Sequence, residues 1–320
     1  MKVRDCFNSL KDARKGLNTS YSFSDVCMAG YSVFHLQSPS FLAHQERLKK
    51  KHATHNGKTL FGFSKTPSHN QIRHLLDTID PQDLNSLFDS LQSEVKKEDF
   101  SSQEGLVVAL DGTYFFSSER VCCARCLSKT KEGKTRYFHA MLCPALIHPE
   151  QKCALPMAPE FTLQEDGKEK QDCELNAAKR WINAKKDWLR QERVTLLGDD
   201  LFSRAPLISQ VIELETVRFI FVAKPASHKY LQEWIQNFEK KEGGNVKTTE
   251  KKGSKKLTYV YRFFKDIPLN ATATSPLVNY FDILVKDEKE KIIYHNSFVT
   301  NHAIDEKNIH HIARMGRDRW

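Results

Sequence analysis

Long apolar runs are absent from this sequence, and their absence argues against two classes of protein. A helix that crosses a bilayer needs about 18 or more consecutive apolar residues, and the 320 residues contain no such run. The N-terminal stretch MKVRDCFNSL has no apolar core of the kind found in secretory signal peptides. We therefore expect no membrane partner and a cytoplasmic location.

An excess of acidic residues and a disulfide framework are also missing. The 49 Lys and Arg residues outnumber the 40 Asp and Glu residues, which gives a formal net charge of +9. A basic surface favours an anionic partner, and with no membrane segment we expect that partner to be nucleic acid. The eight cysteines are unevenly spaced, which is typical of reduced thiols in a cytosol.

One apolar stretch carries an aspartate where a buried strand should have none. Residues 105–116 read GLVVALDGTYFF, in which five apolar residues lie between Gly105 and Asp111. Such a run predicts a central strand that is covered on both faces. A carboxylate there costs several kcal/mol of desolvation unless a cation holds it. A hard divalent metal bound by oxygen ligands meets this requirement if other carboxylates converge on it.

A second stretch ends in the same way. Residues 193–202 read RVTLLGDDLF, an apolar and β-branched run that leads to Gly198, Asp199 and Asp200. Aspartates at the tips of two strands that are distant in sequence are typical of a two-metal phosphoryl-transfer site. The alternative is that Asp199 caps the following helix and that Asp111 lies in a turn.

Residues 1–100 are predicted to be entirely helical. Ser68 followed by Gln71 forms a capping box, and Asp80 followed by Pro81 starts a further helix. A helix over residues 40–51 closes on three consecutive lysines, which suit the negative end of a helix dipole. Short helices beside basic residues indicate either a DNA-binding region or a plain helical bundle.

The remainder alternates strands with helices. We expect an antiparallel meander that starts with the Asp111 strand, and then a helix, the Asp199 strand, another helix and a strand over residues 217–224. This order predicts a three-layer α/β core with a mixed sheet. A charged segment over residues 239–256 is predicted to be a mobile loop. Further strands are predicted over residues 257–264, 278–285 and 291–300, and Asp305 is predicted to cap a last helix.

The order and spacing of four segments resemble the DDE transposases of bacterial insertion sequences. The segments are VVALDGTYFF, PEFTLQEDGKEKQDCELNAAKRW, LLGDDLFSR and SFVTNHAIDEKNIHHIARMGRDRW, and the similarity covers nearly the whole chain. The resemblance implies an RNase H-like core whose β-rich insertion lies between the second and third acidic residues. The implied organisation is a DNA-binding helical region at 1–100, the first part of the core at 101–225, the insertion at 226–296 and the start of the closing helix at 297–320.

The resemblance also assigns residues to roles. Asp111 matches the first acidic residue of the family and Asp199 the second, with Asp200 as the alternative for the second. In the family's closing motif Arg319 matches the arginine, whereas Gly316 stands where a tyrosine is usual. The third acid, a glutamate, would then fall four positions beyond Arg319, so the chain is expected to be truncated at its C-terminus. Three nearby acids do not keep that spacing: Asp305, Glu306 and Asp318.

The implied activity is metal-dependent cleavage and joining of DNA at the ends of a mobile element in the bacterial nucleoid. Two Mg²⁺ ions, which Mn²⁺ can replace, would be bound by Asp111 and Asp199. The expected partners are the element's terminal repeats and target DNA, with a dimer assembled on the DNA. Predicted DNA contacts are made by Lys224, Asn301, Arg317 and Arg319. The alternatives are a catalytically inactive remnant that only binds DNA, and a metal-dependent nuclease without strand transfer.

A pair of cysteines leaves a further question open. Cys123 and Cys126 have the CxxC spacing of a zinc site, and Cys122, Cys143, Cys153 and His139 lie in the same part of the sequence. No second CxxC accompanies the pair. The pattern therefore indicates either a structural zinc or small buried thiols.

Overall fold

The computed structural model describes residues 2–15, 19–63, 65–102, 105–148, 151, 153–164, 171–238, 244–252 and 255–317. The chain divides into two compact units, residues 1–94 and 95–320. Among the helices of these described residues, none is both long and apolar enough to cross a membrane.

The first unit is helical, as predicted. Its helices are α1 (Lys2–Ser9), α2 (Phe23–His35), α3 (Phe41–Leu48), α4 (Lys51–Thr59), α5 (His69–Leu76) and α6 (Asn85–Glu94), with a 3₁₀ turn at Pro81–Leu84. Both predicted caps are confirmed, because the Ser68 side chain accepts a hydrogen bond from Gln71 N and the Asp80 side chain accepts one from Gln82 N. Helix α2 supplies more of the buried core of this unit than any other helix.

The predicted helix over residues 40–51 is broken. Helix α3 ends at Leu48, and α4 begins at Lys51. The Thr54 hydroxyl donates to the carbonyl of Leu48 at 2.8 Å, which satisfies one acceptor at the end of α3. In helix α6, Leu91 is exposed and Phe88 is half-buried.

The second unit is a mixed α/β structure built on a large sheet. Its strands are β1 (Ser101–Ser102), β2 (Gly105–Ala109), β3 (Gly112–Ser118), β4 (Leu127–Lys131), β5 (Lys134–Leu142), β6 (Ala145–Ile147), β7 (Ala154–Pro156), β8 (Glu160–Phe161), β9 (Val194–Gly198), β10 (Arg218–Val222), β11 (Gly244–Lys252), β12 (Lys255–Pro268), β13 (Leu277–Lys286) and β14 (Ile292–Thr300). Its helices are α7 (Glu174–Ala184), α8 (Lys186–Gln191), α9 (Ala205–Ile212), α10 (Lys229–Phe238) and α11 (Ile309–Arg317).

Ten of the described strands form the large sheet, in the order β11-β12-β13-β14-β10-β9-β2-β6-β7, with β1 paired to β2. Strands β2, β6 and β7 make an antiparallel meander. Strands β9 and β10 are added on the other side of β2, each parallel to its neighbour. Strand β14 pairs with β10 in the antiparallel sense and leads outward through successive hairpins.

The central strands are mainly apolar and are covered on both faces. In β2, Leu106 and Val108 pack with α7 and α9 on one face, whereas Val107 packs on the other face in the cluster that includes α11. Strand β9 alternates in the same way, with Leu196 on the first face and Leu197 on the second. This arrangement confirms the predicted central strands and places helices on both sides of a mixed sheet.

The predicted meander is partly wrong, because a second sheet takes part of it. Strands β3, β5 and β4 form a four-stranded sheet in which β8 pairs with β5. The chain leaves the large sheet after β2, bends at Leu110 and Asp111, and enters the small sheet as β3. It returns through β5 and β6, with a second bend at Cys143 and Pro144. The third strand of the meander is β7, in a segment that its prolines had marked as a connection.

Three further segments show features that the sequence did not predict. Strand β11 lies within residues 239–256, which were predicted to form a mobile loop, and it pairs with β12 from Gly244 to Lys252. It is a terminal strand of the sheet, where lysines protect the free edge from further pairing, so its charge does not exclude strand structure. The strands predicted as a β-rich insertion at 226–296 continue the large sheet through β14. The helix predicted over residues 172–191 is interrupted at Lys185, between α7 and α8.

Candidate active site

Asp111 lies at the bend between the two sheets. Its side chain is exposed, and it follows the buried residue Leu110, whose backbone N–H donates to the carbonyl of Leu197 at 2.8 Å. The carbonyl of Asp111 accepts a hydrogen bond from Cys143 N at 2.7 Å. The backbone at Asp111 is thus fixed from a neighbouring strand, while its carboxylate stands at the carboxyl end of β2.

Asp199 lies at the carboxyl end of the next strand, β9. Its Oδ1 accepts a hydrogen bond from Leu201 N at 2.8 Å, and its carbonyl accepts one from Phe202 N at 3.1 Å. The carboxylate therefore closes the turn after the strand. It does not cap the following helix, as the alternative interpretation of the sequence proposed, because α9 begins at Ala205 and its N-cap residue is Arg204. Because one carboxylate oxygen can accept the bond from Leu201 while the other binds a cation, the role in the turn does not exclude a metal-binding role.

The sheet brings these two aspartates to the same edge. Strands β2 and β9 are parallel, and Ala109 pairs with Leu197 in the register. Asp111 and Asp199 each come two residues after this pair, so they follow it at matching positions. We call these two residues the carboxylate pair.

Asp200 has a different environment. It accepts hydrogen bonds from Lys224 N at 2.7 Å and from Ser227 Oγ at 2.5 Å, and it lies 3.6 Å from His228 Nε2. Its side chain is 14% exposed. These contacts tie the end of β9 to the loop between β10 and α10. Asp200 is thus used in holding the backbone, which favours Asp199 for the second acidic position.

Two residues that sequence reasoning did not select for this site lie beside Asp111. Gly112 has no side chain, and a Cβ there would be 2.2 Å from the Glu174 carboxyl carbon, so the glycine allows Glu174 in the first turn of α7 to approach. Burial, followed by the negative charges of Asp111 and Glu174, raises the pKa of the Cys143 thiol. The local sequence gives no signal for this grouping, because it depends on the bend between the sheets.

A cavity of about 230 Å³ adjoins this group. Its lining includes Gly112, Tyr114 and Phe138 from the small sheet, Glu174 from α7 and Leu201 from the turn after Asp199. Tyr114 and Leu201 are also exposed. The edge that carries the carboxylate pair is therefore next to a hollow with an apolar wall and at least one acidic group.

Helix α7 is fixed against the small sheet by an ion-pair network. Arg180 donates to Glu160 Oε1 at 2.7 Å and to Asp172 Oδ2 at 2.8 Å. Burial tends to raise the pKa of Asp172, but the hydrogen bonds from Arg180 and from backbone N–H groups outweigh it and hold that pKa below its usual value. Because Asp172 directly precedes the first turn of α7, this network positions Glu174.

The predicted DNA contacts lie in different places. Lys224 is exposed and follows β10 by two residues, so it is at the same edge as the carboxylate pair. Asn301 is at the other end of β10, where its Oδ1 accepts from Phe219 N at 2.9 Å and its Nδ2 donates to Val217 O at 3.0 Å. Its amide is thus used to fix the sheet at the end opposite Asp199.

Arg317 lies on two tyrosine rings. Its guanidinium carbon is 5.5 Å from the ring centre of Tyr259 and 4.9 Å from that of Tyr294. This stacking covers part of the guanidinium group. The N–H groups of the planar cation can still donate hydrogen bonds to an anion. Arg319 lies outside the described residues.

The donor atoms of the carboxylate pair fit a hard divalent cation. Mg²⁺ is commonly held by one or two carboxylates, with water and substrate phosphate completing its shell. Among the described residues, one group of three side chains is placed to hold a metal ion, and it consists of two cysteines and a histidine on the small sheet. The carboxylates do not belong to that group. Asp111 and Asp199 place oxygen ligands at one edge of the large sheet.

Comparison with known proteins adds little. No protein-family model matches the chain, and no curated protein matches it. Among solved structures, the NurA nuclease from Sulfolobus solfataricus is similar over 78% of this chain and 85% of that chain, at 12% identity and a TM-score of 0.29. A TM-score this low is not evidence for a shared fold or a shared activity.

Proposed function

We propose that this chain binds DNA and carries the first two acidic residues of a DDE transposase active site on an RNase H-like core. Asp111 would contact both metal ions and Asp199 one of them. When bound, the two Mg²⁺ ions would lower the pKa of the attacking hydroxyl and stabilise the leaving oxygen of an in-line displacement. The reaction class is phosphoryl transfer on DNA.

The observation that carries this proposal is the position of the carboxylate pair. Asp111 and Asp199 are distant in sequence, yet they follow the paired residues Ala109 and Leu197 on adjacent parallel strands. In open α/β sheets, ligands bind at the carboxyl ends of the strands, because loops there can bring functional groups together. At this edge Asp111 is exposed and Asp199 is half-exposed. A metal ion bound there would be accessible to a bulky substrate.

The order of the central strands supports the RNase H-like assignment. The sequence pattern predicted a meander that starts with the Asp111 strand, followed by two strands reached through helices. Part of the predicted meander lies in the second sheet, but β2, β6 and β7 form an antiparallel meander within the large sheet, and β9 and β10 extend that sheet in the parallel sense through α7, α8 and α9.

The last helix supports the same proposal. Arg317, at the end of α11, stacks on Tyr294 of β14. In the register, Val222 at the carboxyl end of β10 pairs with Phe298, so Tyr294 lies beyond that end of β10. Helix α11 therefore ends on the side of the sheet where the carboxylate pair lies. A glutamate four positions after Arg319 on a continued helix would be on this side.

A specific observation favours a second candidate function, DNA binding without efficient cleavage. Among the described residues, no third carboxylate joins Asp111 and Asp199 in a group of metal-type ligands. With two ligands the second ion lacks a protein carboxylate. The chain would then occupy the ends of an element and exclude an intact transposase.

The experiment measures metal binding, DNA binding and plasmid nicking on the same preparations. We expect the chain to bind Mn²⁺ by calorimetry and to bind duplex DNA with an affinity that falls steeply with salt. Asp111→Asn and Asp199→Asn should each weaken Mn²⁺ binding by at least about tenfold, because each removes a ligand charge. Lys224→Gln should weaken DNA binding and reduce the salt slope by about 1.

Glu306→Gln is the matched control, since it removes one exposed acidic charge just before α11. It should leave Mn²⁺ binding unchanged. Unaltered Mn²⁺ affinity in both aspartate variants, or failure of the chain to bind DNA at low salt, would contradict the proposal. Rapid Mn²⁺-dependent nicking that requires both aspartates would select the enzyme over the binding-only alternative. Joining of the cut ends to a second duplex would then distinguish a transposase from a nuclease.

The parent DNA offers an independent test of the family. If the reading frame continues past the codon for Trp320, the resemblance predicts a glutamate four positions after Arg319. Another residue at that position would remove the third acid that the resemblance requires. The chain would then be better described as a DNA-binding protein.

A further inference from the structure

Three metal-binding side chains converge on the small sheet, away from the carboxylate pair in topology and in ligand type. Cys123 and Cys126 lie in the turn before β4, where Cys126 N donates to the carbonyl of Cys123 at 3.1 Å. His139 belongs to the neighbouring strand β5. We call these three residues the cysteine cluster. Its members range from exposed to buried, and Cys126 is the buried one.

The distances within the cluster resemble those between the ligands of one zinc ion. His139 Nε2 lies 3.3 Å from Cys123 Sγ and 3.4 Å from Cys126 Sγ, and the two sulfurs are 3.7 Å apart. With Zn–S bonds of about 2.3 Å and Zn–N bonds of about 2.0–2.1 Å, tetrahedral geometry requires about 3.8 Å between sulfurs and about 3.6 Å between sulfur and nitrogen. One ion therefore fits between the three ligand atoms at bonding distance from each of them.

The surroundings of the cluster hold its ligands in place. The backbone N–H of Cys123 donates to Cys126 Sγ at 3.2 Å, which orients that sulfur within the turn. The His139 ring stacks on Phe115 with 5.6 Å between ring centres and lies 5.7 Å from that of Phe116. Two aromatic contacts restrict rotation of the imidazole and keep Nε2 directed at the sulfurs. Contacts of this kind around a metal ligand commonly tune its affinity.

The ligand types select the metal. Thiolate and imidazole favour Zn²⁺ over Mg²⁺, Mn²⁺ or Ca²⁺, which prefer oxygen. A structural zinc site has four ligands, so one more is needed. Cys122 is exposed and directly precedes Cys123, so either its thiolate or a water molecule completes the shell.

We propose that Cys123, Cys126 and His139 bind one structural Zn²⁺ that fixes the connection between β3 and β4 to β5. The small sheet supplies one wall of the cavity beside Asp111, through residues that include Leu127 and Phe138. Leu127 directly follows Cys126, and Phe138 directly precedes His139. The ion would therefore hold the strands that form this wall, and it would take no part in phosphoryl transfer.

The test starts with the metal content of the chain as purified without chelator. We expect one equivalent of zinc per chain by mass spectrometry of the elements. After replacement by Co²⁺, we expect sulfur-to-cobalt charge-transfer absorption in the near ultraviolet. Cys123→Ser, Cys126→Ser and His139→Asn should each lose most of the bound zinc. Cys173→Ser is the matched control, because it changes another exposed cysteine outside the cluster and should keep the full equivalent.

The fourth ligand is decided by Cys122→Ser. Loss of about one third of the charge-transfer intensity would assign the Cys122 thiolate, and unchanged intensity would assign water. If a cluster variant fails to fold, the Co²⁺ spectrum of the unaltered chain still tests the site. Absence of zinc together with absence of charge-transfer absorption would overturn the proposal. So would a Cys123–Cys126 disulfide in the freshly purified chain under reducing conditions, or full zinc content in Cys126→Ser.

Discussion

The carboxylate pair and the cysteine cluster are two candidate metal sites in one unit, and they are assembled in opposite ways. The carboxylate pair joins residues that are distant in sequence, at the ends of adjacent parallel strands. The cysteine cluster joins a short turn to the next strand of one antiparallel sheet. The first depends on the topology of the large sheet, whereas the second depends on a local hairpin.

The two sites also differ in how complete they are. The cysteine cluster brings three ligand atoms within 4.8 Å of one another. The carboxylate pair offers two side chains, of which Asp111 is exposed. A nearly closed ligand shell is typical of a metal that stabilises a fold, and an open shell is typical of a metal that meets a substrate. The difference therefore predicts that loss of one site affects stability and loss of the other affects chemistry.

The largest expected effect separates the sites by thermal stability. Cys126→Ser should lower the melting temperature of the second unit by about 10 °C, because a few kcal/mol of metal-binding free energy is lost and each kcal/mol shifts a unit of this size by about 2–4 °C. Asp111→Asn should leave the melting temperature within about 2 °C of the unaltered chain, because the residue is exposed and asparagine keeps the size and shape of the side chain.

Tryptophan fluorescence is a suitable measurement, because all four tryptophans lie in residues 95–320 and so report on the second unit alone. Melting after removal of zinc with a strong chelator should move the unaltered chain to the temperature of Cys126→Ser. Equal melting temperatures for the two variants without chelator would show that the sites do not divide the roles in this way.

The next effect tests which aspartate of the Asp199–Asp200 sequence is structural. Asp200→Ala should lower the free energy of unfolding by about 2–3 kcal/mol, because it leaves Lys224 N and Ser227 Oγ without their acceptor in a half-buried loop. Asp199→Ala removes only the bond to Leu201 N and should cost about 1 kcal/mol or less.

Urea unfolding of both variants, followed by tryptophan fluorescence, gives the two values. For Mn²⁺ binding the order should be reversed, with the larger loss in Asp199→Ala. If Asp200→Ala instead lost the metal with little loss of stability, Asp200 would replace Asp199 in the carboxylate pair.

The sequence predicted the parts of this structure that depend on local pattern. The apolar and β-branched runs before Asp111 and Asp199 identified two central strands, because short runs of this composition between glycines are typical of strands covered on both faces. Caps at Ser68 and Asp80 located helix starts, since each side chain bonds a backbone N–H only a few residues away. The CxxC spacing also identified two of the three residues of the cysteine cluster.

The parts that remained hidden depend on contacts between distant segments. Nothing near Asp111 indicates that the chain changes sheets there, so Glu174 and Cys143 could not be assigned to its surroundings. His139 was one of several candidate ligands, and only the pairing of β3, β4 and β5 placed it against the two sulfurs. Asn301 is the opposite case. It is a polar residue that follows a strand, and its side chain bonds the backbone at the end of the sheet opposite the carboxylate pair.

The smallest expected effect concerns the dependence of stability on pH. Acid would release metal from both sites, which would conceal the difference between their contributions to stability. The second unit has a third acid-sensitive group, His302, which is buried and has its Nε2 3.0 Å from Thr195 Oγ1. Burial, followed by the positive charge of Arg218, lowers the pKa of His302 to about 4. Below about pH 6.5 the unfolded chain binds a proton that the folded chain does not, so stability falls as the pH drops from about 6.5 towards 4.

His302→Gln removes this titration and leaves a side chain that can still bond Thr195. For the metal-free chain, the loss of unfolding free energy between pH 7.5 and pH 5 should be smaller in the variant by about 2 kcal/mol, as linkage requires for a shift of this size. Urea midpoints at the two pH values measure the difference, with tryptophan fluorescence as the signal. An equal pH dependence in both proteins would place the acid sensitivity elsewhere. If the predicted difference is found, any further loss of unfolding free energy that appears only with zinc or Mn²⁺ present comes from protonation of the metal ligands. Measurements with each metal in turn then give the acid response of each site.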